Sequence, residues 1–188
     1  MRTVFLDVDT QIDFLFPAGA LYVPGAERLV QVIARLNHFA EARAIPLISS
    51  TDAHTENDPE FHEWPPHCVA GTLGQKKPPE TLLAKRSTLG VPLEITDQII
   101  VEKQALDVLT NPNFRTLLDR LHADAYVVYG VATDYCVRCA VMGLLQTGKS
   151  VRLVTDAIAA VNAEDGARVL REFAAQGGVL TTTSGVAG

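Results

Sequence analysis

Tyr126–Gly143, YVVYGVATDYCVRCAVMG, decides how the rest of the chain is read. The apolar run Ala125–Tyr129 is short, β-branched and aromatic, the signature of a buried parallel strand. It gives way at Gly130, and a helical pattern begins near Thr133. Cys136 therefore falls in the first turn of a helix that follows a strand. There the backbone N–H groups point outward and the helix dipole favours a thiolate over a thiol. A cysteine at a random position is more often a small core residue, so the weight rests on what the other strand ends carry.

Outward from this stretch the pattern repeats. Thr3–Val8 reads as a central strand ending at Asp9, and Thr10–Pro24 as a loop. Ala26–Arg43 has apolar residues at helical spacing. Pro46–Ser50 reads as a strand leading to Asp52, Gln98–Val101 as one leading to Lys103, and Pro112–Leu121 as a helix. Ser150–Val154 and Val179–Thr182 are the last two strands, separated by a helix that Asn162 caps and Gly177-Gly178 stop. Apolar strands alternating with helices predict an α/β fold, a doubly wound three-layer (Rossmann-like) arrangement with a six-stranded parallel sheet and helices on both faces. At 188 residues and 47% hydrophobic content, the chain is expected to form a single domain, 1–188.

Composition narrows the function. A net charge of -6 without a basic cluster argues against nucleic-acid or anionic-membrane partners. Three cysteines are too few for a disulfide scaffold and point to a reducing, cytoplasmic setting. The opening MRTVFLDVDT carries charges within its apolar stretch and reads as neither a signal peptide nor a membrane span.

In open α/β sheets the site lies beyond the carboxyl ends of the strands. That rule gathers Asp9, Asp52, His54, Lys103 and Cys136. A carboxylate, an amine and a thiol make a nucleophilic centre, with Asp9 to take the thiol proton and Lys103 to favour the resulting anions. A second group lies in the polar loop that follows Asp52, where Asp52-Ala53-His54 is joined by Glu60, His62 and His67. Mixed oxygen and nitrogen donors suit zinc, iron or manganese better than calcium or magnesium. Cys136-Val137-Arg138-Cys139 also fits a dithiol redox site, a reading with no use for Asp9, Lys103 or the histidines.

These features in this order resemble the nicotinamidase and isochorismatase-like cysteine hydrolases, on the nicotinamidase branch. The likeness rests on Asp9-x-Gln11-x-Asp13-Phe14, Pro17-x-Gly19-Ala20-Leu21, Asp52-x-His54, Trp64-Pro65-Pro66-His67-Cys68-Val69-x-Gly71-Thr72, Lys103 and Gly130-Val131-Ala132-Thr133-Asp134-x-Cys136-Val137. The resemblance implies an Asp9, Lys103, Cys136 triad that hydrolyses nicotinamide to nicotinate and ammonia through a thioester, as in NAD salvage. Other small amide or ureido substrates are the alternative, because the run after Lys103, Gln104-Ala105-Leu106-Asp107, departs from the family's usual Tyr-Ser-x-Phe element. It further implies a cis Val131–Ala132 peptide and an oxyanion hole from the N–H groups of Ala132 and Cys136. A divalent metal, zinc ahead of iron or manganese, would be held by Asp52, His54 and His67, with Glu60 rather than His62 as the fourth ligand. Phe14, Trp64 and Ala132 would border the substrate, residues 51–80 would form the metal and substrate loop, and the protein would assemble as a homo-oligomer, a dimer or larger.

Overall fold

The computed structural model of the chain describes residues 2–90 and 92–188. Among the described residues seven strands form one sheet in the order β3-β4-β2-β1-β5-β6-β7, and all neighbouring strands pair in parallel. They are β1 (Thr3–Val8), β2 (Leu47–Asp52), β3 (Arg86–Thr88), β4 (Gln98–Lys103), β5 (Ala125–Val131), β6 (Ser150–Ala159) and β7 (Val179–Thr181). Among the described residues six α-helices accompany them: α1 (Ile12–Leu15), α2 (Val30–Ala42), α3 (Phe114–Leu121), α4 (Cys136–Leu145), α5 (Ala163–Ala175) and α6 (Thr183–Ala187).

Strand residues alternate between the two faces, so the central strands feed two apolar layers. Phe5, Leu47, Val127, Tyr129 and Val154 pack on one face with Ile33 and Leu36 of α2, and Val186 of α6 joins them. Val4, Leu6, Ile48, Ile99, Val128 and Leu153 pack on the other with residues of α3, α4 and α5. Burial on both faces explains why β1 and β5 read as nearly continuous apolar runs. Asn162 caps α5 as expected, its side chain accepting from the N–H groups of Glu164 and Asp165 at 2.9 and 3.1 Å.

The differences from the sequence reading have physical causes. The sheet has seven strands rather than six. The extra one, β3, is three polar residues at an edge with two of them exposed, so it carries no apolar alternation to read. The Thr10–Pro24 loop contains α1 and the segment after Thr182 contains α6, of four and five residues, both too short to show a helical period. Thr182 caps α6 by accepting from Gly185 N–H at 3.4 Å. Strands β2 and β4 run on to Asp52 and Lys103, which pair in register. These two charged residues are the final residues of their strands rather than the first of the following loops. Among the described residues no helix is long and apolar enough to cross a membrane.

The chain proceeds outward from β1 in both directions, first through β2 and β4, then through β5, β6 and β7. The change of direction falls between β1 and β5, where open α/β sheets form their crevice. Gly130 lies at this seam with φ +122°, and an added Cβ would sit 2.1 Å from the Val8 carbonyl oxygen. Neither the dihedral nor the contact tolerates a side chain. Gly130→Ala is therefore expected to cost at least about 1–3 kcal/mol, read as a lower melting temperature than wild type.

Candidate active site

At the carboxyl end of the sheet, β1 ends in a turn at Asp9, whose φ is +49°. The turn brings the Asp9 carboxylate beneath the start of α4. Lys103 Nζ lies 2.9 Å from Asp9 Oδ2 and 3.6 Å from Cys136 Sγ, and it also donates to Asp52 Oδ1. Asp9, Asp52 and Cys136 present atoms within 4.8 Å of one another. Ser50 fixes the other side of Asp9, its hydroxyl donating to Oδ1 at 2.6 Å. All of these side chains are buried.

Burial pushes the Asp9 carboxyl above its ordinary range, although the Lys103 ammonium pulls it back. Burial also pushes the Cys136 thiol well up, with Lys103 opposing and Asp9 reinforcing. For Lys103 burial works downward, but Asp9, Cys136 and Asp52 outweigh it and raise the group well above its usual value. The resting centre thus combines a lasting ammonium, a neutral thiol and a carboxylate of raised proton affinity. The helix dipole alone would favour a thiolate, and here desolvation is the larger effect.

The second donor group adjoins the first through Asp52. Asp52, His54 and His67 offer ligand atoms within 4.8 Å of one another. Both histidines turn Nε2 toward Asp52 Oδ2, at 3.8 and 3.9 Å, and Glu60 Oε1 lies 3.8 Å from His67 Nε2. Their Nδ1 atoms face acceptors, Asp58 Oδ2 at 3.1 Å for His54 and the Pro65 carbonyl at 2.8 Å for His67. Anchoring Nδ1, as the Pro65 carbonyl does for His67, and leaving Nε2 to converge is how ligating histidines are oriented. Both ring nitrogens of His54 are buried without a hydrogen-bond partner among the described residues, Asp58 lying beside Nδ1 as an ion-pair neighbour only. That is a costly state for a polar atom unless an ion completes it, so the donor set fits a divalent metal. Glu60 faces this centre, whereas His62 is exposed.

Loop residues hold the two groups in place. The Gln11 side chain accepts from Asp52 N–H at 2.6 Å and donates to the Asp52 and Gln75 carbonyls at 2.8 Å each. Asp13 accepts from Cys68 N–H at 2.7 Å and so fixes the residue after His67. Above the donors, Phe14, Trp64, Leu106, Tyr135 and Val161 enclose a cavity with Cys136, Asp52, Glu60 and His67 on its polar side. Trp64 meets Tyr135 edge-on at 5.3 Å, and Phe14 packs against His67 at 5.5 Å. Ala132 also lines the cavity, and the Val131–Ala132 peptide is cis.

Comparison with known proteins agrees with this arrangement. The Isochorismatase domain model matches residues 3–185. The chain belongs to the isochorismatase-domain family. Nicotinamidase of Escherichia coli is 30% identical to this family member, over 93% of this chain and 92% of that protein. Among solved structures, the zinc complex of the Pyrococcus horikoshii pyrazinamidase superposes with a TM-score of 0.83 at 26% identity, covering 97% and 99% of the two chains. The L. infantum PnC1 structure in complex with nicotinate gives 0.83 at 27% identity, covering 98% and 94%.

Within this isochorismatase-domain fold the sequence-expected residues Cys136, Asp52, His67, Glu60, Phe14, Trp64 and Ala132 line one cavity, and Asp9, Lys103 and His54 lie buried behind it, Lys103 against Asp9 and Cys136 and His54 against Asp52. Ser50, Asp58, Phe61, Tyr135 and Val161 carry no strong sequence signal, whereas Leu106 belongs to the run after Lys103 that departs from the family's usual element and does line the cavity. Asp58 carried a signal, lying four residues after His54 in the polar loop, and Phe61 packs on both histidine rings at 5.4 and 5.7 Å. The three cysteines are free thiols, and Cys139, on the next turn of α4, is partly buried.

The histidine environment gives a pH dependence. Burial works to lower the His54 imidazole, but the Asp52 and Asp58 carboxylates outweigh it and raise the group to about 9. Metal must displace that proton, so affinity for a divalent ion measured by chelator competition should fall as pH drops below about 9. In metal-free protein the same group contributes stability that is complete below pH 6.5 and lost as pH rises through about 9. Affinity that does not change between these limits would contradict the assignment.

Proposed function

We propose that this protein is a metal-assisted cysteine amidohydrolase that converts nicotinamide to nicotinate and ammonia. The observation that carries the reading is the contact of one buried ammonium, Lys103, with both Asp9 and Cys136 at the floor of an aromatic-walled cavity. That geometry supplies a nucleophile, a base and a charge that stabilises both once ionised.

In the proposed sequence Asp9 takes the Sγ proton of Cys136, and the thiolate attacks the carboxamide carbon. The N–H groups of Ala132 and Cys136 receive the developing oxyanion. Asp9 returns the proton to the amide nitrogen, the C–N bond breaks, and ammonia leaves a thioester on Cys136. Asp9 then deprotonates a water, which attacks the thioester carbon. Nicotinate departs and the thiol is restored. Lys103 remains an ammonium throughout, which suits the upward displacement of its proton affinity.

The metal would be held by Asp52, His54, His67 and Glu60. It would supply a Lewis-acid contact for the ring nitrogen of a flat heteroaromatic amide. Asp52 is ready for that role, because burial pushes its carboxyl up but Lys103 and His54 together hold it below the ordinary range. The zinc in the pyrazinamidase structure supports zinc as the first choice, ahead of iron or manganese. Phe14 and Trp64 would sandwich or flank the ring. We place the protein as one hydrolase domain, with residues 51–80 as its metal and substrate loop, acting in the cytoplasm in pyridine-nucleotide salvage and assembling as a dimer or larger homo-oligomer.

The test is ammonia release from nicotinamide, pyrazinamide and a set of aliphatic and ureido amides, with and without chelator. Nicotinamide should give the highest kcat/KM, and chelation should suppress it until zinc is restored. Cys136→Ala should lower kcat by on the order of 10³-fold or more at an unchanged melting temperature, and Lys103→Ala should fall comparably. Wild-type rates in Cys136→Ala would end the thioester mechanism.

A further inference from the structure

One buried ion pair has no part in the chemistry above. Asp7 lies inside β1 on the face covered by α2, and its carboxylate is fully buried. Lys77, also buried, approaches to 3.0 Å of Asp7 Oδ2. The Thr10 hydroxyl donates to Asp7 Oδ1 at 2.7 Å, and Lys77 Nζ in turn donates to the Thr10 hydroxyl at 2.5 Å. Ser49 and Asn37 complete the carboxylate from β2 and α2, at 3.2 and 3.3 Å.

The two partners belong to parts of the fold that must meet for the site to exist. Thr10 follows Asp9 in the turn of positive φ, so its hydroxyl is one bond path from the proposed base. Lys77 closes the stretch in which the metal loop returns to the body of the protein. That stretch runs beside the catalytic turn. Ile12 N–H donates to the Lys76 carbonyl at 2.8 Å, Asp13 N–H to the Gly74 carbonyl at 3.1 Å, and Gln11 Nε2 to the Gln75 carbonyl at 2.8 Å. Gln11 and Asp13 also hold Asp52 and the residue after His67.

We propose that the buried Asp7–Lys77 pair is a positioning latch that seats the end of the metal loop on the turn carrying Asp9. One contact then sets both the metal donors and the acid–base carboxylate. A buried ion pair is a poor device for stability alone, since apolar residues of similar volume fill such a space as well or better. What it supplies is register, because the ammonium must reach Asp7 and Thr10 together. An apolar residue at position 77 would pack without specifying where along the turn the loop ends.

The inference rests on the functional reading above for its metal and its substrate. Its test compares wild type with Lys77→Met and with Asp7→Asn/Lys77→Met, in which no charge is left unpaired. Three quantities are read on folded protein: amide exchange at Ile12 and Asp13, zinc affinity by chelator competition, and kcat and KM for nicotinamide at saturating zinc. Lys77→Met should speed exchange at both amides and weaken zinc by at least about tenfold although no ligand is touched. It should lower kcat at least about tenfold, with KM within about threefold of wild type. The double variant should recover the melting temperature but keep all three defects. A double variant with native exchange, zinc affinity and kcat overturns the latch and leaves the pair a folding device. Should the wild-type chain bind no zinc and release no ammonia, the functional reading fails, and the exchange rates at Ile12 and Asp13 alone uphold or overturn the latch.

Discussion

A single buried ammonium organises this protein. Lys103, the last residue of β4, touches Asp9, Asp52 and Cys136, which arrive from three other elements. Without it, two carboxylates would face each other in a desolvated pocket, where even one uncompensated charge costs several kcal/mol. With it, the carboxylate of the nucleophilic centre and the carboxylate of the metal site share one counter-charge. The two halves of the site are therefore electrostatically one object, and neither half is expected to keep its properties when the other is altered.

The sheet provides the precision this demands. Asp52 and Lys103 are paired in register on adjacent strands, and Val8, one residue before Asp9, pairs with Ser50 on one side and Gly130 on the other. Positions on the central strands β1, β2 and β5, buried on both faces, do not slide, since a one-residue slip would turn each strand's inward sets to the wrong layer. The loops complete the geometry with side chain–backbone contacts from Gln11 and Asp13, holding Asp52 and Cys68 against the turn after β1. Rigid strand ends carry the charged trio, and pinned loops carry the histidines.

Much of this was legible in the sequence because the informative signals are local. The apolar runs of β1, β4 and β5 end in residues of unusual chemistry, Asp9, Lys103 and the Cys136 helix, and the strand-end rule collects them. What escaped was set by contacts between segments far apart in sequence. The role of Ser50 depends on β1 lying beside β2, and that of Asp58 on the fold of the polar loop around His54. The protonation state of Cys136 depends on burial that no local pattern reports, so the helix dipole pointed toward a thiolate where desolvation keeps a thiol. Asp7 was visible as a carboxylate within an apolar strand, but its partner lies 70 residues away.

If Asp9 and Lys103 act on Cys136 as one unit, a double-mutant cycle will show it. kcat/KM for ammonia release would be measured for Asp9→Asn, Lys103→Met and the combined variant, each shown to be folded by its melting transition. The combined variant should be no worse than the more damaged single variant, within about threefold, as for groups that function together. Losses that multiply, each residue contributing independently of the other, would contradict it.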